Sequence, residues 1–369
     1  MKILKNIKLA PYTTFKIGGE ARYFCEARDQ FDALAAFEFA KEKKVPVFLL
    51  GGGSNVLVSD EGFKGLVMRI VNKGIEIISE SQHQVLLKVA SGEVWDDVVS
   101  FAVGNNWWGM ENLSHIPGST GAIAVQNVGA YGQEAKNLIE LVTIFDTVDH
   151  TIKNIELPEC EFGYRRSIFN KKEKGRYIIF YITFRLSKLA NPILEYRDLY
   201  AKFKGQKKPL IDEIRKEIIK IRDMKYPFPV KAKNGNAGSF FKNPILNAGQ
   251  FNVLKAVLGS NFGPETAEKL QSRVFITSHS SSFRGEEYKV PAAFLLEICG
   301  LKDVQVGGAK INHNQPLIVL NETGKATAKD VLSLAKKVLL AVYAKIGVKL
   351  LPEPELVGFS KKDLENLYI

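Results

Sequence analysis

Val45 to Leu50 reads as a short buried strand that runs into Gly51-Gly52-Gly53-Ser54-Asn55 and directly out into a second strand, Val56-Leu57-Val58. This junction constrains the fold more than any other stretch. A glycine-rich loop after a strand suggests phosphate binding, but a Rossmann or P-loop site needs a helix immediately afterwards. Here a strand follows instead. If the loop holds a phosphate, consecutive backbone amides must do so as a nest, with no helix N-terminus behind them. A glycine turn without a ligand uses the same residues, and this motif alone leaves both readings open.

A second dense loop, Ile116-Pro117-Gly118-Ser119-Thr120-Gly121, is followed by small residues as far as Gly132. Gly129 and Gly132 sit there with Gln126, Asn127, Ala130 and Tyr131. So many small residues build little core and let the backbone approach something large and flat. Two amide-rich loops on a mixed α/β frame without a Rossmann crossover point to a dinucleotide held in an extended form.

The remaining elements follow from period and caps. Residues 14–24 read as two strands joined at Gly18–Gly19. Asp29 caps a helix with Phe31, Leu34, Ala35 and Phe37 on its apolar face, ending near Lys43–Lys44. Strands are expected over Gly62–Val71, Val85–Ala90, Leu138–Val148 and Tyr177–Leu186. Residues 91–106 read as a helix with Val94, Trp95, Val98 and Ala102 on one side. Pro209 to Lys225 is a helix carrying Ile214, Ile218 and Ile221 on one face, and Pro227 and Pro229 stop it at a domain boundary. Residues 247–290 look like a polar, Gly/Ser-dotted excursion. Ala292 to Cys299 is a short helix closed by Gly300, and strand patterns surround Gly307–Gly308. Thr327 caps a helix with Val331, Leu334, Ala335, Val338, Leu339 and Val342 on its apolar face. No internal repeat is visible.

Three further stretches carry chemistry. Asn234 to Pro244, NGNAGSFFKNP, holds one serine on a tight turn backed by two phenylalanines. Phe162 to Phe169, FGYRRSIF, sets two arginines among aromatics, where a guanidinium is either solvated or aimed at a carboxylate or phosphate. Leu350 to Leu356 is forced into extended form by Pro352 and Pro354, and period two puts Glu353 and Glu355 on the same side. Spacing does not choose between those carboxylates.

Composition narrows the classes. At 369 residues, 46% hydrophobic and 25% charged, the chain suits two or three ordinary globular domains. A net charge of +11 favours anionic partners, but the basic groups (171–176, 202–208, 231–233) are small and lack interleaved aromatics, so nucleic acid is not expected. Cys25, Cys160 and Cys299 are too scattered for a disulfide framework or zinc site and read as small buried hydrophobes. The five histidines show no HxxxH or HxH spacing, so no protein-built metal site is expected. Lysines break up Met1–Ala10, and the longest apolar run, Tyr177–Phe184, is far too short for a bilayer. A cytoplasmic protein without membrane contact is expected.

Four stretches together, LGGGSNVLVSD, IPGSTGAIAVQNVGAYGQE, FGYRRSIF with NGNAGSFFKNP, and LPEPELVGF, resemble in order and spacing the UDP-N-acetylenolpyruvoylglucosamine reductase (MurB) family. The resemblance runs from about Thr13 to Phe359. The length and the Tyr196 segment, ILEYRDL, are similar to the longer subtype with a tyrosine loop. It implies an α+β, three-domain flavoprotein. A vanillyl-alcohol-oxidase (PCMH) type FAD-binding fold would comprise residues 1–74, joined by 346–369, and residues 75–228, with an α+β substrate-binding domain at 229–345.

The implied reaction is NADPH-dependent reduction of UDP-N-acetylglucosamine enolpyruvate to UDP-N-acetylmuramate through FAD, in peptidoglycan synthesis. By resemblance, FAD is held by Gly51, Gly52, Gly53, Ser54, Asn55 and Val56, by Ile116, Pro117, Gly118, Ser119 and Gly121, and by Gln126, Asn127, Gly129, Ala130, Tyr131 and Gly132. The substrate's diphosphate falls to Tyr196, Lys225 and Asn243, and catalysis to Arg165, Ser239 and Glu355. No metal is implied, and a monomer acting on small molecules is expected. The sequence departs from the family at Arg166, where an acid is more usual, at Tyr12, and in the looser spacing between Lys225 and Asn234. A flavin oxidase of the same fold often attaches its cofactor to a histidine near the first loop, and no histidine lies between Met1 and Gln82.

Overall fold

The computed structural model describes residues 1–206, 208–225, 234–277 and 286–368. Pro227, Pro229 and the basic group at 231–233 lie outside the described residues. The chain divides into two units: Met1–Lys8, Glu20–Ser54 and Phe63–Ala232 form the first, and Leu9–Gly19, Asn55–Gly62 and Lys233–Ile369 the second.

In the first unit, strands run in the order Leu4–Lys8, Glu20–Ala27, Phe63–Ile70, Val47–Leu50, the last three mutually parallel. Asp29 caps the helix Gln30–Glu42 as expected, accepting the Phe31 and Asp32 amides at 2.9 Å each. The buried stripe of this helix differs from the expected one. Ala33, Ala36 and Ala40 face the sheet, while Phe31 is 71% exposed and Ala35 is also outside. Alanines let the helix axis lie close over Tyr23, Cys25, Leu66 and Met68, and Leu34 and Phe37 pack at the edge of that core.

A second, antiparallel sheet has the order Thr151–Glu156, Ile139–Asp146, Tyr177–Ser187, Gln84–Ala90, Ile75–Glu80. Phe145, Ile178 and Phe180 of this sheet pack into the Tyr23–Met68 core. Val85, Leu87, Val89, Ile182 and Phe184 pack with the helices Trp95–Gly104 and Ile211–Lys225. Val94 precedes the first of those helices and is 43% exposed, so only Trp95, Val98 and Ala102 of the expected face are buried.

In the second unit, Val56–Val58 pairs in parallel with Glu355–Val357. Thr14–Gly19 is not the strand expected there. Phe15 and Ile17 are buried in the second unit's core, and pairing starts only at Glu20. The expected excursion contains two helices, Ala248–Phe262 and Pro264–Gln271. Asn247 and Gln250 form a capping box on the first, which buries Phe251, Leu254 and Leu258 at helical spacing. Residues 278–285 of that stretch lie outside the described ones. The helix Ala328–Ile346 is capped by Thr327 and buries the apolar face its pattern predicts. Asp60 also grips its start, accepting the Ala328 amide at 2.8 Å and that of Lys329 at 3.0 Å.

All three cysteines are buried. Burial pushes the Cys25 and Cys160 thiols up to about 12, which makes them inert hydrophobes at neutral pH. Among the described residues no helix is long and apolar enough to cross a membrane.

Candidate active site

In the first unit the two glycine loops pack on one another, backbone to backbone. A Cβ on Gly52 would lie 2.6 Å from the Gly118 Cα, and one on Gly118 (φ +126°) would lie 2.6 Å from the Ser54 Oγ. The Gly52 amide donates to the Ser119 Oγ at 3.1 Å. Gly51 also lies against Ser119, and Gly121 against Ser91. What these glycines let close is therefore first of all the opposite loop, a tighter demand than a ligand surface alone imposes. The second loop also differs from the sequence reading, because a short helix, Thr120–Val125, follows Ser119. Among the described residues the amides of Gly53, Ser54, Gly118 and Ser119 have no protein acceptor. Four such donors on two locked loops suit the diphosphate of an extended dinucleotide such as FAD.

The approach to the second loop is pinned by charges that sequence reasoning missed. The His115 amide donates to Asp96 Oδ1 at 2.6 Å, its ring contacts Asp223 at 2.9 Å, and Arg222 Nε donates to its carbonyl at 2.8 Å. Arg215 holds Asp96 with both arms, at 2.7 and 2.9 Å. Burial pushes the Asp96 carboxyl up, but hydrogen bonds from Arg215 and the His115 amide outweigh it and hold the group below its usual range. The signal was available: Arg215 and Arg222 are seven apart on one helix and share a face.

Downstream, Gln126 ends the short helix, and Gly129–Ala130 pairs with Gln133–Glu134 around a Tyr131–Gly132 turn in which both residues have positive φ. Asn127 is buried. Its Nδ2 donates to Glu134 (2.9 Å) and the Gly163 carbonyl (3.1 Å), and its Oδ1 accepts the Lys136 amide at 3.0 Å. Its visible work is to join this hairpin to the loop bearing Arg165. Tyr131 packs edge-on to Tyr196 with centroids 5.1 Å apart, and Lys225 Nζ lies 5.5 Å from the Tyr131 ring centroid. Lys225 also donates to Asp198 at 3.1 Å. A residue expected at the cofactor thus sits with two expected at the substrate. Burial pushes the Tyr131 hydroxyl up to about 12, so it stays a protonated donor.

Arg165 occupies the tip of a two-residue turn. Gly163 and Arg166 exchange backbone hydrogen bonds at 3.0 and 3.2 Å, and Arg165 has φ +53°. A non-glycine residue in that region costs about 1–2 kcal/mol, so the neighbours must hold it there. Asn170 Nδ2 donates to the Arg165 carbonyl at 3.2 Å, and Ser167 Oγ ties the loop to the Val125 carbonyl at 2.6 Å. Its guanidinium carbon is 5.3 Å from the Tyr164 ring centroid. Arg166, the departure from the family pattern, pairs with exposed Glu161 at 3.6 Å.

Ser239 and Glu355 both belong to the second unit. The serine turn is held by Gly235, whose carbonyl accepts the Asn321 amide at 2.8 Å, and by the Asn236 amide, which donates to Thr14 at 3.1 Å. Beyond the serine, the Phe240 amide donates to Leu317 at 2.7 Å. Phe240 and Phe241 are buried and pack edge to face. The Phe240 carbonyl accepts the Glu353 amide at 2.8 Å, and two residues on, the Glu355 amide donates to the Asn55 carbonyl at 2.9 Å. Within the second unit, one extended segment therefore links the serine turn to Asn55, beside which Val56 pairs with Glu355. Asn243 Oδ1 caps the helix Ala292–Ile298 through the Ala292 amide at 2.9 Å, so any diphosphate contact from this side chain falls to Nδ2.

Residues 229–357 match the family model described as the C-terminal domain of UDP-N-acetylenolpyruvoylglucosamine reductase, and residues 21–153 match an FAD binding domain. The chain is 34% identical to the UDP-N-acetylenolpyruvoylglucosamine reductase of Chromobacterium violaceum, covering 95% of this chain and 97% of the relative. It is 36% identical to that of Photobacterium profundum, with 98% of each covered. The crystal structure of the reductase from Thermus caldophilus superposes with a TM-score of 0.64 over 97% of this chain and 99% of that one; at 22% identity this shows the shared fold.

Proposed function

Because this chain belongs to the UDP-N-acetylenolpyruvoylglucosamine reductase family, we propose that its two glycine loops and its serine turn serve one reaction. The protein is an FAD-dependent oxidoreductase that reduces UDP-N-acetylglucosamine enolpyruvate to UDP-N-acetylmuramate in peptidoglycan synthesis. When bound, FAD would supply hydride chemistry to the substrate's vinyl carbon, with NADPH as its reductant. The chain's own residues bind, orient and protonate.

Hydride addition builds negative charge on the carbon beside the substrate carboxylate, and preorganised polar groups must meet it. Arg165 takes that carboxylate with its forked guanidinium. Ser239 gives its hydroxyl proton to the carbon and recovers one from water. A serine is a weak general acid by the usual matching of pKa to working pH, and it serves here because the carbanion is a strong base. Glu355 acts at the same centre, while Tyr196, Lys225 and Asn243 hold the diphosphate. The amides of Gly53, Ser54, Gly118 and Ser119 receive the cofactor's phosphates. Residues 1–74 with 346–369, and 75–228, carry the flavin, and 229–345 carries the substrate. The enzyme works as a cytoplasmic monomer on small anionic molecules, for which a net charge of +11 is suited.

The observation that carries this reading is the backbone ladder from the Ser239 turn through Glu353 and Glu355 to Asn55. Within the second unit it ties the serine-bearing turn and the Glu355 carboxylate to one short extended segment. The test is a pair of half-reactions on the purified yellow protein. NADPH is expected to bleach the flavin, and the enolpyruvyl sugar nucleotide to restore its colour. A flavin that NADPH bleaches but the sugar nucleotide cannot reoxidise would refute the substrate assignment.

A further inference from the structure

Asn236 stands out in the serine turn because half of its side chain is answered and half is not. It is 2% exposed. Its main chain is held on both sides, the amide by Thr14 and the carbonyl by the Thr14 hydroxyl at 2.7 Å. Its Oδ1 accepts the Gly238 amide at 2.8 Å, closing an Asx turn immediately before Ser239, with Gly238 at φ +69°. Its Nδ2 is buried and has no partner among the described residues. Buried amide donors without acceptors are rare and costly, and each needs a reason.

The turn by itself does not supply that reason. A carboxylate would accept the Gly238 amide at least as well and would leave no donor unanswered. What differs is charge. Under the functional reading above, proton transfer leaves a negative oxygen on Ser239 while the substrate carbon beside its carboxylate carries developing negative charge. A buried carboxylate three residues away opposes both, in a low-dielectric setting where that opposition is strong. A neutral amide makes the same turn and adds the positive end of an unneutralised N–H dipole. We propose that Asn236 is a positioning residue for Ser239, its Oδ1 fixing the turn and its neutral amide keeping that turn free of negative charge during proton transfer. The inference rests on the proposed reaction.

The test separates the two half-reactions in rapid mixing of the holoenzyme. Asn236→Asp is expected to be bleached by NADPH within about twofold of the wild-type rate. Its reoxidation by the enolpyruvyl sugar nucleotide is expected to fall at least ~10-fold, on the scale of one misplaced acid–base group. The solvent deuterium isotope effect on reoxidation should rise, because proton transfer has become limiting. Asn236→Ser, whose hydroxyl also accepts the Gly238 amide, should stay within about threefold of wild type. Reoxidation of Asn236→Asp at the wild-type rate, or a loss in Asn236→Ser as large as in Asn236→Asp, overturns the proposal. If Asn236→Asp does not fold, Asn236→Ser against Asn236→Ala decides: the proposal requires the serine variant to be faster, and equal rates overturn it. A wild-type flavin that the sugar nucleotide cannot reoxidise removes the functional reading and this inference together, whereas a wild-type response with insensitive variants removes the inference alone.

Discussion

At the residue scale, Ser239 and Glu355, the proposed proton donor and its carboxylate partner, are positioned through the main chain around them. Neither stands on a regular helix: the Glu355 amide donates to the Asn55 carbonyl, and Ser239 is flanked by Gly238 and Phe240, whose amides are held by Asn236 and Leu317. Side-chain substitution should therefore spare the frame. Ser239→Ala is expected to retain flavin and normal bleaching by NADPH, with net turnover at least ~10²-fold lower; wild-type turnover would remove the hydroxyl from the mechanism. Glu355→Gln should lose far more turnover than Glu353→Gln, and the reverse order in steady-state assays would move the role to Glu353. The pair was visible in the extended LPEPEL segment, but its spacing treats both carboxylates alike. The family resemblance favours Glu355, and that assignment is what this comparison tests.

At the scale of the element, the two glycine loops behave as one unit of packing. Gly52→Ala places a methyl where Gly118 backbone already lies, 2.6 Å away, so one loop must shift. Overpacking of this kind costs about 1–3 kcal/mol. The variant should purify with a lower flavin-to-protein absorbance ratio, and full flavin content at wild-type stability would show that the loops tolerate separation. The loops were legible as amide-rich turns because glycine and asparagine signal their own backbone freedom. Their mutual contact was not, because Gly52 and Gly118 are distant in the chain. The Asp96–Arg215 pair and the His115 contacts also join distant segments, and the shared helix face of Arg215 and Arg222 was the one local sign of them. The Ile75–Glu80 strand is exposed along its whole length and carries no burial pattern to read.

Across the whole molecule, stability should carry an acid signature from Asp146, whose side chain is fully buried. Arg176 holds it at 2.9 and 2.7 Å, with Lys153 at 2.7 Å. The Arg176 hydrogen bonds, reinforced by Lys153 against the opposing effect of burial, keep its carboxyl well below the usual carboxylate range. A depressed folded pKa contributes stability that is present above about pH 4 and is lost as pH falls toward the folded value. Asp146→Asn should cost about 2–3 kcal/mol at pH 7, less than a fully buried pair because both cations are about one-third exposed. Its thermal midpoint should also depend less on pH between about 4 and 2 than that of wild type. An unchanged midpoint at pH 7 would show that the cluster is worth nothing net.

The sequence by itself determined the elements whose information is local. The Asp29 and Thr327 caps, the long apolar face of Ala328–Ile346, and the strand–GGGSN–strand junction that excludes a Rossmann turn all lie within a few residues of their own signals. Tertiary structure decided which local features meet. It put three alanines rather than Phe31 under the first helix, drew Phe15 and Ile17 into the second unit's core, and joined Asn55 to Glu355 across 300 residues of chain. Periodicity reports that a residue has a buried side, but the partner on that side is chosen by backbone hydrogen bonds and close packing between distant segments. That is why the Ser239 turn was legible as a turn, while the half-answered side chain of Asn236 beside it appeared only once the chain was folded.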